Sequence, residues 1–152
     1  MIVTNPASEY RKRAVEGSSP VGLVVLLYGG AITGLMRAIS AIDANNIEKR
    51  VNELNKVLAI LAELEGTLDF EKGGAVADQL KKYYVVLRSQ VLEASIKNSK
   101  TILEELVKNM SGIKEAWQQV ERDVAIKGVS GVAASPQTPT NLVRSGQGAA
   151  AL

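Results

Sequence analysis

Residues 19 to 44 read SPVGLVVLLYGGAITGLMRAISAIDA, and the fold follows from this stretch. Ser19 before Pro20 is a helix start. A Ser hydroxyl accepts from the free amides of the first turn, and Pro has no N–H to lose at the first helical position. From there Val21, Val24, Tyr28, Ala31, Leu35, Ala38 and Ile42 recur at spacings of three and four. That period puts them on one face of a helix running from Pro20 to about Ala44. Val25, Ile32, Met36 and Ile39 widen the stripe, so the helix should touch two neighbours. Gly17 to Met36 carries no charge and is long enough to suggest a membrane span. It holds Ser18, Ser19, Pro20, Gly22, Gly29, Gly30, Thr33 and Gly34, however, and these gather largely on one side. Lipid surrounds a lone helix evenly and gives no reason for that segregation, so no membrane insertion is expected.

Three more helices follow downstream. Asn45-Asn46 is a loop and cap. Helix two then runs from Ile47 to about Glu65, with Ile47, Val51, Leu54, Leu58, Leu61 and Leu64 on its seam and Gly66 at its end. The connection TLDFEKGG (67–74) has Phe70 as its only large apolar anchor. Helix three runs from about Ala75 to Ile96 on Val76, Leu80, Tyr83, Leu87, Val91 and Ala94. After Asn98-Ser99, helix four runs to about Ile126 on Ile102, Leu106, Met110, Ile113, Trp117, Val120 and Val124. Long amphipathic helices on short loops predict an all-α protein, an antiparallel four-helix bundle over residues 20–126. Residues 1–19 read as a short polar N-terminal arm with Tyr10 and Val15 as its apolar points. Residues 127–152 are rich in Gly, Ala, Ser, Thr and Pro without helical period. They read as a disordered C-terminal tail that cannot bury enough apolar surface to offset its ordering entropy.

Composition narrows the function. The 152 residues include no Cys and no His, which removes Ser-His-Asp triads, Cys nucleophiles, zinc fingers, His or Cys haem ligation and disulfides. The last acid is Asp123, and only Lys127 and Arg144 carry charge beyond residue 126. The body is therefore neutral and the whole +2 belongs to the tail. A neutral body with 4% aromatic residues offers neither the electrostatic nor the stacking surface that nucleic acid requires. A ferritin-like di-metal site needs Glu-x-x-His and fails without His. Glu53, Glu63, Glu93, Glu104, Glu105 and Glu115 fall off the seams and read as a solvated face. Gly29-Gly30 and Gly73-Gly74 lack the Lys-Ser/Thr of a phosphate loop and follow no strand. No catalytic residue, metal or cofactor is expected, and the chain does not read as an enzyme.

Apolar residues are left over once the seams are satisfied. Leu23 and Leu26, with Leu27 at the border, project away from the seam of helix one and share that face with Gly30, Thr33, Gly34 and Arg37. Val85, Leu92 and Ile96 form a line opposite the seam of helix three, bordered by Lys81, Lys82 and Ser89. The bland alternative is that the arm, or a skewed bundle, covers these side chains. A surplus apolar stripe on a finished bundle otherwise marks a docking surface for an amphipathic partner.

The chain also resembles a known family. SSPVGLVVLLYGGAI (18–32) is similar to the Ser-Pro-x-x-Leu-Val-x-x-Leu-Tyr-Asp-Gly-Ala-Ile opening of the first long helix in the flagellin-specific export chaperones, the FliS family. TLDFEKGGAVADQL (67–80) resembles that family's Leu-Asn/Asp-Phe-Glu-x-Gly-Gly signature. Tyr84 through Glu93-Ala94-Ser95, Trp117, and Asn5-Pro6 with Tyr10 match further positions in order. Ala7, Gly29 and Val86 depart from the pattern. The resemblance implies a cytoplasmic bacterial chaperone that binds the disordered C-terminal segment of flagellin, blocks premature polymerisation and delivers it to the flagellar type III export gate. The client-binding residues expected on this reading are Tyr10, Val15, Leu23, Leu26, Leu27, Gly30, Val85, Leu92 and Ile96, with the arm around Tyr10 competing with the client. Three alternatives stay open: an adaptor for another type III secretion substrate or regulator, a carboxylate metalloenzyme, and a membrane-associated hairpin. A weak homodimer through the exposed stripes is also open.

Overall fold

The computed structural model describes residues 19–127; the expected arm up to residue 18 and the tail from residue 128 lie outside the described residues. Four helices follow one another: α1 (Pro20–Asp43), α2 (Ile47–Gly66), α3 (Phe70–Lys97) and α4 (Lys100–Lys127). Their ends are set by side chains the sequence supplies at the right places. Ser19 Oγ accepts from the amide of Gly22 at 3.1 Å, with Pro20 at the first helical position. Asn46 Oδ1 accepts from Lys49 N at 3.0 Å, and Ser99 Oγ from Ile102 N at 3.2 Å. Asn45 and Asn98 take left-handed backbone (φ 54° and 51°), the conformation that ends a helix and that Asn tolerates best after Gly.

The helices pack as a ring: α1 against α2 and α4, α2 against α3, and α3 against α4. Opposite numbering along each contact shows the antiparallel arrangement. Lys100 Nζ donates to Asp43 Oδ1 at 2.9 Å at one end of the α1–α4 contact, and Lys114 reaches Gly29 farther along it. Between α2 and α3, Arg50 donates to Asn98 and Arg88 to Glu65. The core is aliphatic: Leu27, Leu35, Leu54, Leu61, Leu64, Leu87, Leu103, Met110 and Ile113 are buried around Tyr28 and Tyr84. Each fully buried aliphatic side chain contributes about 1.5–3 kcal/mol by leaving water. α1 alone is long and apolar enough to cross a membrane among the described helices, yet half of that window is buried inside the bundle. It is the core helix that α2 and α4 cover.

Several expectations need correction. The seam of α2 is rotated from the expected one. Leu54, Val57, Ile60, Leu61 and Leu64 are buried, whereas Ile47 and Val51 are exposed and Leu58 only half-buried. The inward place in the first turns goes to Arg50, which is partly buried and reaches Asn98. Glu53 is buried, with Lys56 Nζ 3.5 Å from its carboxylate, and does not lie on a solvated face. The cause is the close approach of α2 to α1 at Gly34, whose missing Cβ would sit 2.7 Å from Val57 Cγ2 and 3.6 Å from Glu53 O. α2 is drawn in far enough to cover its own flank. Phe70 anchors nothing in the core. It is nearly half exposed and lies under Lys81 Nζ, 5.9 Å from the ring centroid.

Candidate functional site

α3 positions the surface of interest. Asp69 caps its first turn, with Oδ1 accepting from Glu71 N at 3.1 Å and Lys72 N at 3.0 Å. Gly74 then breaks the helix at φ 49°, ψ −125°, a conformation that essentially only Gly takes up readily. From Ala75 on, the helix is regular. Its inner face carries Ala77, Leu80, Tyr83, Tyr84, Leu87, Val91 and Ala94, all buried. The long aromatic pair fixes the rotation of α3 about its axis. The Tyr28 and Tyr84 hydroxyls share a hydrogen bond of 3.1 Å between α1 and α3, with the rings edge-to-face at 6.3 Å. Tyr83 donates to Asn109 of α4. Burial drives the pKa of all three tyrosines well above the ordinary value of 10. These are structural hydroxyls held neutral in the core.

With that face locked inward, Val85, Leu92 and Ile96 point out, at 44%, 50% and 85% exposure. They line a shallow trough with Arg88, Ser89 and Glu93. Arg88 is held sideways by Glu65 of α2, and Lys97 Nζ by Glu93 at 2.8 Å, so the flanking charges are largely settled within the monomer.

The other expected residues divide. Leu23 and Leu26 are half-buried, and Leu23 packs on the core. Leu27 is fully buried and Gly30 is buried, so neither belongs to an outer surface. On the small-residue face of α1, Gly34 does let a helix approach closely, but that helix is the protein's own α2, while Thr33 and Arg37 stay exposed. Tyr10 and Val15 lie outside the described residues. Sequence reading missed the hydroxyl pairing of Tyr28 with Tyr84 in the core and of Tyr83 with the part-buried Asn109. The one available signal was the pair Tyr83-Tyr84 at a seam position, with a ring on either side of the helix's inward line. No group of three or more acids able to hold a metal occurs among the described residues.

The described residues thus form a four-helix bundle whose third helix turns Val85, Leu92 and Ile96 to solvent. The chain belongs to the FliS family of flagellar secretion chaperones, a non-enzymatic family: residues 3–124 match the model of the family described as flagellar protein FliS. Similar proteins include the flagellar secretion chaperone FliS of Campylobacter jejuni, 34% identical over 71% of this chain and 84% of its own length. FliS of Vibrio cholerae is 31% identical over 73% and 85%, and FliS of Salmonella typhimurium 32% identical over 70% and 80%.

Proposed function

We propose that this chain is a cytoplasmic export chaperone that binds the disordered C-terminal segment of flagellin, prevents its premature polymerisation and delivers it to the flagellar type III export apparatus. The observation that carries the reading, within a family of flagellar secretion chaperones, is the outward line Val85–Leu92–Ile96 at regular spacing on one face of α3. A segment that folds on binding loses conformational entropy and must offset it by burying apolar area, about 1,000–3,000 Å² in such cases. The line on α3 supplies the start of that area, and the half-buried Leu23 and Leu26 of α1 are further candidates.

The test is co-expression with the host flagellin followed by gel filtration. A one-to-one complex is expected. Val85→Asp and Leu92→Asp should leave helical circular dichroism unchanged, because both side chains already face water, and should abolish the complex. Retention of the complex by both variants removes α3 as the seat. A chaperone that captures another export substrate and ignores flagellin is an adaptor for that substrate instead.

A further inference from the structure

The exposed line on α3 is longer than its three apolar residues. Lys82, Val85, Ser89, Leu92 and Ile96 follow one another at spacings of three, four, three and four, and all five are exposed. Between them Tyr83, Tyr84, Leu87, Val91 and Ala94 are all buried. A spacing alternating three and four is the seam of a helix that packs lengthwise on a second helix, and a polar residue in such a seam fixes register at some cost in stability. Charge around the seam is uneven. Arg88 pairs with Glu65, Lys97 pairs with Glu93, and Lys81 lies over the Phe70 ring. Lys82, at the N-terminal end of the seam, has no carboxylate within ion-pair distance among the described residues, Asp78 one turn earlier included.

The geometry points to Lys82 and Ser89 as the residues that set the register of the client on α3. The occupant is one amphipathic helix of the client segment, with apolar side chains at alternating spacings of three and four against Val85, Leu92 and Ile96. It places an acidic side chain opposite Lys82 and a small or polar residue opposite Ser89. This rests on the flagellin-client reading above and adds a demand to it: only one alignment of the client satisfies both ends of the seam. A second copy of this chain fits the seam worse. Antiparallel pairing centred on Ser89 would match Val85 with Leu92 but set the ammonium of Lys82 against Ile96 and leave it without a counter-ion.

The experiment is calorimetric titration of the full chaperone with the C-terminal segment of the host flagellin, at low and high salt. Lys82→Glu should weaken binding about three- to ten-fold and flatten the salt dependence, while Lys82→Arg retains both affinity and salt dependence. Changing the acidic residues of the segment one at a time to Lys should rescue Lys82→Glu at a single position. Wild-type binding that Leu92→Asp abolishes but Lys82→Glu leaves unchanged overturns the register inference and leaves the client reading standing. No wild-type binding at all overturns both. A free chaperone that elutes as a dimer, converted to monomer by Ile96→Asp, assigns the seam to a second copy and also overturns the inference.

Discussion

At the scale of single residues, the glycines of α1 and α4 separate packing from propensity. A Cβ on Gly34 would stand 2.7 Å from Val57 Cγ2, closer than carbon atoms tolerate. Gly34→Ala gains up to about 1 kcal/mol of helix propensity but overpacks the α1–α2 contact, which typically costs 1–3 kcal/mol. The expected outcome is a net loss of about 1 kcal/mol in urea denaturation. Val57→Ala in the Gly34→Ala background should recover the clash term, so that the two changes are strongly non-additive. Gly112 has nothing within 4 Å of a Cβ and is exposed on α4. Gly112→Ala should therefore stabilise by about 0.5–1 kcal/mol in the same assay. The sequence shows that Gly30 and Gly34 share a face with Leu23 and Leu26, but not which helix will lie on that face. That is why Gly34, read as room for a partner, turned out to be room for α2.

At the scale of elements, helix boundaries were legible because they are written in local chemistry. Ser19-Pro20, Asn46 and Ser99 each supply an oxygen to the free amides of the turn that follows, and each was visible in the sequence. The seam of α2 was less legible. Ile47, Val51 and Leu58 are apolar and well spaced, and periodicity alone cannot know that Arg50 takes the inward place by reaching Asn98, a partner 48 residues away. The start of α3 shows both cases. The connection expected over 67–74 is already helical from Phe70, which Asp69 caps, whereas Gly74, its expected last residue, does interrupt the helix at φ 49°. No β-carbon crowds that position, so the obstacle to substitution is the backbone alone. Gly74→Ala should destabilise the protein by about 1–3 kcal/mol in spite of the better helix propensity of Ala. A stabilised Gly74→Ala protein in thermal melts would mean that the break is not imposed by the fold.

At the scale of the whole molecule, the tyrosines tie the bundle together and should set its upper pH limit. Tyr28 on α1 meets Tyr84 on α3, and Tyr83 reaches the part-buried Asn109 on α4, so three buried tyrosines link three of the four helices. Burial is the largest cause of the raised pKa at each, and for Tyr83 and Tyr84 the charge of a neighbouring phenolate would raise it further. In the unfolded chain the same groups ionise at about 10. Below that value both states hold the protons and the tyrosines contribute no pH dependence. Above it the unfolded chain releases protons that the folded one keeps, so stability falls as pH rises, by about 1.4 kcal/mol per pH unit for each tyrosine. Three such groups would consume a typical stability of 5–15 kcal/mol within about one to four pH units above 10. Urea denaturation at pH 8, 10 and 11 should show little change over the first step and a steep loss over the second. In a Tyr10→Phe background, which leaves only these three tyrosines, absorbance at the phenolate band should rise only as the helical signal is lost. Tyr84→Phe removes one titrating group and the hydroxyl partner of Tyr28, so it should lower stability at pH 8 by about 0.5–1.5 kcal/mol while making the fall above pH 10 shallower. Phenolate absorbance rising ahead of unfolding in that Tyr10→Phe background would show that water reaches the cluster in the native state. The inward face of α3 would then not be locked, and its outward seam would not be held in a fixed position.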